Sequence, residues 1–151
     1  MSWERNLVTT DEGVADVLRT AKSIAVLGAK AEPSEPAFYV PRYLSAQGYR
    51  ILPVNPTLSV RELHGQPIVG ALADLAAPVD VVEVFRRPEL LPGHATEILA
   101  LPWRPAVVWF QLGIRHDDAA ERLARAGIRV VQDRCMMPDH RRLIASARSR
   151  T

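Results

Sequence analysis

The fold is decided by residues 23–36, SIAVLGAKAEPSEP, in which an apolar run ends at a glycine and a polar loop that contains prolines. The apolar run, residues 24–27, is short and continuous, which is typical of a strand that is buried on both faces of a sheet. Beyond residue 36 the apolar side chains adopt helical spacing, at Phe38, Val40, Tyr43 and Leu44. A strand, a glycine loop and a helix therefore follow one another directly, and the first turn of such a helix favours an anion.

The loop contains the first candidate ligand contacts. Gly28 has no Cβ and would let the backbone approach a ligand closely. Lys30 is either a phosphate contact or a solvated loop lysine. Ser34 is the N-cap of the following helix, a phosphate ligand or both. Pro36 suits the first helical turn, because its missing N–H is no loss there.

Length and composition indicate one globular domain, residues 1–151, with a helical leader over 1–22 and a basic, solvated tail over 141–151. No apolar run approaches the roughly 20 residues of a membrane span, and the N-terminal residues lack the apolar core of a signal peptide, so we expect a cytoplasmic protein. The net charge of +2 is too small to favour nucleic acid as a partner. The single cysteine, Cys135, excludes an internal disulfide and a multi-cysteine metal site.

The rest of the chain alternates between helical and strand patterns. Helices are predicted from about Thr10 or Asp11 to Ala21, over 37–47, over 88–99 with an interruption or a late start at Pro92-Gly93, and over 117–126 with Asp117 as the cap. Strands are predicted at 49–54, 79–85, 106–110 and 128–131, with a short strand near 68–69 and one or two helical turns over 71–77. This alternation predicts an α/β fold, a Rossmann-like doubly wound parallel sheet flanked by helices in a single domain.

In such sheets ligands bind outside the carboxyl ends of the strands, where the strand order reverses. The segments that follow the predicted strands are polar and rich in cations. They are Gly28 to Ser34, Asn55-Pro56, Phe85-Arg86-Arg87, Gln111-Leu112-Gly113 and Asp133-Arg134-Cys135. We therefore expect the ligand to lie along this edge of the sheet.

The glycine loop argues against a dinucleotide site and against ATP hydrolysis. A dinucleotide-binding loop would read G-x-G-x-x-G with a carboxylate about 20 residues later, whereas this chain has only Gly28 and offers Asn55 after the second strand. No G-K-[ST] sequence follows the glycine. A ligand with more phosphate charge is favoured by the cations near the expected edge. These are Lys30, Arg86 and Arg87, with Arg42 and Arg115 as further candidates.

The strand-end segments together resemble the small, single-domain CoA-binding proteins, which are related to the CoA-binding N-terminal domain of the succinyl-CoA synthetase alpha subunit. The resemblance spans residues 24–143. It rests on Ile24 to Gly28 with Pro33-Ser34, on residues 48–56 (GYRILPVNP), on Val79-Asp80 with Val84-Phe85-Arg86-Arg87, on Trp109 with residues 111–114 (QLGI), and on Asp133-Arg134-Cys135. One such segment would be weak evidence, but five in order at successive strand ends form a specific pattern.

The resemblance implies a domain that holds CoA along the strand ends, with its phosphates at residues 28–34. The strand-end pattern and the resemblance together give the expected cofactor contacts. They are Gly28, Ala29, Lys30, Pro33, Ser34, Arg42, Asn55, Pro56, Phe85, Arg86, Gln111 and Gly113. Glu35 departs from the family pattern, in which a basic residue is common, and its carboxylate would repel a phosphate. The phosphorylated histidine of the synthetases belongs to a separate domain, so no ligase reaction is expected of these residues alone.

The sequence contains no convincing catalytic set. His64, His94, His116 and His140 show no ligand spacing and are interpreted as surface or packing residues. Cys135 is interpreted as a buried structural thiol, with a mixed disulfide to CoA as the alternative. The predicted function is therefore a non-catalytic CoA or acyl-CoA binding protein, with no nucleic acid or membrane partner and no indication of a protein partner. Two alternatives stay open: a NAD(P)-type nucleotide-binding or redox protein, and an interaction protein with a vestigial pocket.

Overall fold

The computed structural model describes residues 2–146. The strands of this part of the chain are β1 (Ser23–Leu27), β2 (Arg50–Val54), β3 (Glu62–Leu63), β4 (Gln66–Pro67), β5 (Val81–Val84), β6 (Val107–Phe110) and β7 (Arg129–Val131). The α-helices are α1 (Asp11–Thr20), α2 (Pro36–Ala46), α3 (Leu91–Leu99), α4 (Asp117–Arg125) and α5 (Met136–His140). Short 3-10 turns cover Trp3–Asn6, Leu72–Asp74 and Pro88–Leu90, and a π-helical segment, Arg141–Ala145, continues α5.

Five strands form one parallel sheet in the order β2-β1-β5-β6-β7. Leu27 at the end of β1 pairs with Val54 of β2 on one side and with Val84 of β5 on the other. The chain runs from β1 outward to β2 and then crosses back to β5, so the strand order reverses between β1 and β5. This arrangement confirms the expected Rossmann-like doubly wound fold and puts the switch point at the ends of β1 and β5.

Alternate residues of the central strand β1 face two separate hydrophobic cores. Ile24 and Val26 pack with buried residues of α1, α2 and α5. Ala25 and Leu27 pack with buried residues of α3 and α4 on the opposite face. Helices cover both faces of the sheet, which explains why its inner strands are nearly continuous apolar runs.

Two helix starts show how local sequence sets the element boundaries. The hydroxyl oxygen of Thr10 accepts a hydrogen bond from the N–H of Gly13 at 3.1 Å, so Thr10 is the N-cap and α1 begins at Asp11, where a start was expected. The expectation that Asp117 caps α4 is wrong. Nδ1 of His116 accepts the N–H of Ala119 at 3.1 Å, and Asp117 is the first helical residue. A carboxylate in that first turn still interacts favourably with the helix dipole.

Two other segments differ from the expectation. The strand expected near 68–69 does not join the parallel sheet as a full strand, because β3 and β4 form a separate hairpin and Val69 makes a single bridge to Val54. Residues 141–146, expected to be part of a solvated tail, are helical because Ile144 is buried in the core that contains α1. Residues 147–151 of that predicted tail lie outside the described residues. Within residues 2–146, no helix is long and apolar enough to cross a membrane.

Candidate functional site

Two cavities open at the switch point. The larger has a volume of about 460 Å³, and its walls include Lys30, Glu35, Tyr39, Phe85, Arg86, Arg87, Gln111, Leu112 and Cys135. The smaller has a volume of about 120 Å³, and its walls include Gly28, Asn55, Pro56, Gly70, Arg86, His94 and Glu97. The carboxyl ends of β1, β2, β5 and β6 thus contribute to one composite site, as expected for a doubly wound sheet.

Gly28 follows β1 in a left-handed conformation, with φ at +90°. Its N–H donates to the carbonyl oxygen of Val54 at 3.0 Å, which joins the turn to β2. The space that a Cβ would occupy already holds the backbone of Phe85 and the side chain of Arg86. Glycine is therefore required here by its contact with the residues that follow β5, whether or not its backbone also contacts a ligand.

Asn55 ties the loop after β1 to the end of β2. Its side-chain N–H donates to the carbonyl oxygen of Ala29 at 2.8 Å. Its Oδ1 accepts hydrogen bonds from the N–H and the hydroxyl of Thr57, both at 2.8 Å. Most of the hydrogen-bonding capacity of this buried amide is used inside the protein, so Asn55 positions the loop.

The backbone donors at the start of the loop are also engaged. The N–H of Ala29 donates to the carbonyl oxygen of Val54 at 3.3 Å, and the N–H of Lys30 donates to that of Ala37 at 3.4 Å. Together with the bond made by Gly28, these contacts use the N–H groups of residues 28–30. A phosphate at this edge would depend on other donors.

The interpretation of Ser34 as the N-cap of α2 is wrong. Its hydroxyl donates to a carboxylate oxygen of Glu32 at 3.1 Å, and Glu35 occupies the N-cap position. The side chain of Glu35 makes no capping hydrogen bond and lies on the wall of the larger cavity. Pro36 is the first helical residue, as predicted, because its ring matches the helical φ.

Arg86 is the cation that the two cavities share. Its Nε donates to Nε2 of His94 at 3.3 Å, and within residues 2–146 its terminal nitrogens have no recorded hydrogen bond or ion pair. Lys30 and Arg87 line the larger cavity beside it, and Arg87 also pairs with Glu89 at the surface. These cations outnumber the carboxylates on the wall of the larger cavity, which suits a phosphate group.

His94 was interpreted as a surface or packing residue, and the structure gives it hydrogen-bond partners that the sequence did not indicate. The ring lies on the wall of the smaller cavity, and its Nδ1 is 3.0 Å from Oε1 of Glu97. The hydrogen bond from His94 holds the pKa of Glu97 below its ordinary value, although partial burial opposes this effect. The sequence signal was the three-residue spacing of His94 and Glu97, which puts both side chains on one helix face soon after β5.

Glu83 is a buried carboxyl in β5 that the sequence reasoning missed. Its Oε2 accepts from Nε2 of Gln111 at 2.8 Å, and its Oε1 has no hydrogen-bond partner within the described residues. Oε1 of Gln111 in turn accepts the N–H of Met136 at 3.2 Å, which links β5 to the start of α5. Burial raises the pKa of Glu83 to about 8, so the carboxyl is largely protonated at neutral pH. The sequence feature that could have revealed Glu83 is a single charged residue within an apolar strand.

Cys135 immediately precedes α5 and is half-buried on the wall of the larger cavity. The adjacent carbonyl of Arg134 accepts the indole N–H of Trp109 at 2.7 Å, which fixes the backbone at this point. Burial raises the pKa of the Cys135 thiol. A thiol with a raised pKa is a weak nucleophile at neutral pH, which fits a structural cysteine better than a reactive one.

The structure brings seven of the twelve predicted contacts to the two cavities. They are Gly28, Lys30, Asn55, Pro56, Phe85, Arg86 and Gln111. The other five line neither cavity: Ala29, Pro33, Ser34, Arg42 and Gly113. Arg42 lies near His64 instead, and the N–H of Gly113 donates to Asp133 at 2.6 Å.

The sheet order and the position of the cavities define the class: a Rossmann-like domain with a candidate ligand site at its topological switch point. Residues 22–141 match the profile of the family described as the CoA binding domain, and the chain belongs to that family. This match confirms the resemblance inferred from the strand-end segments.

Three known proteins illustrate the relationship. The structure of a Thermus thermophilus protein described as cell-free ID.343 is 52% identical, with a TM-score of 0.84 over 90% of this chain and 100% of the other. The Bacillus subtilis (strain 168) protein YneT, described as uncharacterized, is 35% identical over 84% of this chain and 91% of its own length. A dinucleotide forming acetyl-coenzyme A synthetase 1 of Ca. Korarchaeum cryptofilum is 22% identical, with a TM-score of 0.63 over 77% of this chain and 27% of the synthetase chain. That last likeness concerns the fold alone.

Proposed function

We propose that this protein binds CoA or acyl-CoA at the switch point and does not catalyse a reaction on it. Membership of the CoA binding domain family supports the choice of ligand. The observation that carries the proposal is the position of Arg86, which borders both cavities beside Gly28 and has no recorded ion pair within residues 2–146. A guanidinium in this position is suited to a phosphate by charge-assisted hydrogen bonds.

In this proposal side chains, more than loop amides, hold the phosphates. The N–H groups of residues 28–30 already donate to backbone carbonyls. Lys30 and Arg86 are exposed cations on the cavity walls, and Arg87 is a third beside them. We therefore expect the phosphates near Lys30 and Arg86, with Lys30 on the loop of residues 28–34 and Arg86 just after β5.

The composition of the smaller cavity favours CoA over a nicotinamide dinucleotide. The end of β2 presents Asn55, whose amide is bonded to Ala29 and Thr57, where a dinucleotide site would offer a carboxylate to the ribose. CoA carries a 3′-phosphate that NAD lacks, so the cations of this edge give it an additional interaction.

Calorimetric titration of the nucleotide-free protein with CoA, dephospho-CoA and NAD tests the proposal. We expect saturable binding of CoA, weaker binding of dephospho-CoA, and NAD as the weakest of the three. NAD bound as tightly as CoA would contradict the choice of ligand. Absence of saturable CoA binding would favour the interaction-protein alternative.

The non-catalytic part of the proposal needs a separate measurement. His94, the histidine on the wall of the smaller cavity, lies between Arg86 and Glu97, and the pKa of the Cys135 thiol is raised. Neither group is arranged as an activated nucleophile or as the base that would activate one. We expect no release of free CoA thiol when acetyl-CoA is incubated with the protein. Protein-dependent release above the rate in buffer would contradict this part.

A further inference from the structure

The side chains of Arg86, His94 and Glu97 form a hydrogen-bonded relay, and Arg86 lies on the wall that the two cavities share. Nε of Arg86 donates to Nε2 of His94 at 3.3 Å, and Nδ1 of His94 lies 3.0 Å from Oε1 of Glu97. The backbone N–H of Leu72 also bonds to the Glu97 carboxylate. The relay therefore connects α3 and the turn before β5 to the arginine that follows β5.

The hydrogen-bonding chemistry of these groups fixes the protonation state of His94. A guanidinium only donates, so Nε2 of His94 must accept and cannot carry a proton. The remaining ring proton is then on Nδ1, from which it donates to the Glu97 carboxylate. The geometry accordingly requires the neutral Nδ1–H tautomer, and a protonated His94 would set two donors against each other at Arg86.

The relay also holds Arg86 without neutralising it. The imidazole ring of His94 separates the Glu97 carboxylate from Arg86. The carboxylate therefore holds Arg86 through His94 and does not occupy the terminal nitrogens of the guanidinium. The arginine stem packs over Gly28, where a Cβ would lie 2.9 Å from Cδ of Arg86. A guanidinium held at Nε and along its stem has fewer rotamers to lose when an anion binds.

We propose that His94 and Glu97 are positioning residues for the ligand phosphate, because they hold the guanidinium of Arg86 with its terminal nitrogens available to the cavities. This inference rests on the proposed function. It adds that the neutral Nδ1–H form of His94 is the state that supports binding.

Two substitutions at one position separate positioning from simple packing. In His94→Gln the amide oxygen can take the place of Nε2 and accept from Arg86. In His94→Asn the shorter amide reaches only the place of Nδ1 and leaves Arg86 without its acceptor. We expect His94→Asn to weaken CoA binding by about five- to tenfold and His94→Gln to remain within about twofold of the wild type.

His116→Asn is the matched control, because asparagine is also a good N-cap for α4 and His116 borders neither cavity. We expect it to bind CoA as the wild type does. If the wild type binds CoA and both His94 variants bind with equal affinity, the inference is overturned while the proposed function stands. If the wild type does not bind CoA, this result contradicts the proposed function, on which the inference rests.

A spectroscopic measurement tests the tautomer without any ligand. Nitrogen-15 chemical shifts of the His94 ring at pH 7.5, assigned by comparison with His94→Gln, should show the proton on Nδ1. In Glu97→Ala this proton loses its acceptor, so the population should shift toward the Nε2–H tautomer and CoA binding should weaken with it. A wild-type ring that carries its proton on Nε2, or on both nitrogens, would overturn the inference.

Discussion

A Cβ at Gly28 would lie 2.5 Å from the carbonyl oxygen of Phe85, closer than any real Cβ contact allows. The residue that follows β1 and the residue that follows β5 are therefore packed backbone to backbone at the switch point. Because Gly28 also has φ at +90°, two independent constraints exclude any other residue type.

This contact predicts that Gly28→Ala is a stability variant. We expect it to lower the free energy of unfolding by about 2–5 kcal/mol, since left-handed strain adds to the collision with Phe85. Gly127→Ala is the control, because Gly127 has φ at +88° but no atom within 4 Å of its Cβ position. It should lose only about 1–2 kcal/mol in the same urea titration. Equal losses would show that the contact with Phe85 is unimportant.

Glu35 is predicted to weaken binding of a phosphate ligand. Its carboxylate borders the larger cavity together with Lys30, so it repels the anion that Lys30 attracts. Glu35→Gln should tighten CoA binding about two- to fourfold at low salt, and the gain should shrink as salt screens the charge. Glu32→Gln removes the same charge from an exposed position that borders neither cavity, and it should change affinity less. A tighter complex in both variants alike would point to net charge alone.

The buried carboxyl of Glu83 predicts a pH dependence of stability. Its pKa is raised to about 8 in the folded protein from an ordinary value of 4.5, so the native state holds one more proton than the unfolded chain between these values. Its favourable contribution is fully present below pH 4.5 and is lost as the pH rises toward 8, with a slope of up to about 1.4 kcal/mol per pH unit.

Urea unfolding from pH 5 to pH 9 checks this prediction. Glu83→Gln cannot titrate, so its stability relative to the wild type should rise between pH 5 and pH 8 and then level off. Glu12→Gln, on the exposed surface of α1, is the control for the loss of one negative charge. A constant difference between Glu83→Gln and the wild type at every pH would refute the prediction.

Cys135 is predicted to react slowly and to be protected by the ligand. Burial raises the pKa of its thiol, so at pH 8 its alkylation by iodoacetamide should be about fivefold or more slower than that of glutathione. Because Cys135 borders the larger cavity, saturating CoA should slow the reaction further. Mass spectrometry of the intact protein suffices as the readout, since the chain has one cysteine. Rapid alkylation unaffected by CoA would place the thiol outside the ligand site.

The fold could be predicted because its signals are local and repeated. Residues 24–27 are apolar without interruption, which is typical of a strand covered by helices on both faces. Gly28, Arg86 and Gln111 could also be predicted as neighbours, because parallel strands bring their carboxyl ends to one edge.

What could not be predicted depends on contacts between distant elements. The hydrogen bonds from Asn55 to Ala29 and Thr57 could not be predicted, because they require the loop and β2 to be seen together. The hydrogen bonds from Gln111 to Glu83 and from Arg86 to His94 could not be predicted for the same reason, because Gln111 follows β6 and Arg86 follows β5.

The measurement that tests the central claim most directly is calorimetric titration of CoA into Arg86→Gln and Arg50→Gln. Both variants lose one exposed cation, but Arg50 is the first residue of β2 and lies at the end of the strand that points away from the cavities. We predict that Arg86→Gln weakens CoA binding about tenfold or more and that Arg50→Gln stays within about twofold of the wild type. Equal CoA affinity in Arg86→Gln and the wild type would contradict the assignment of the phosphate site to the switch point.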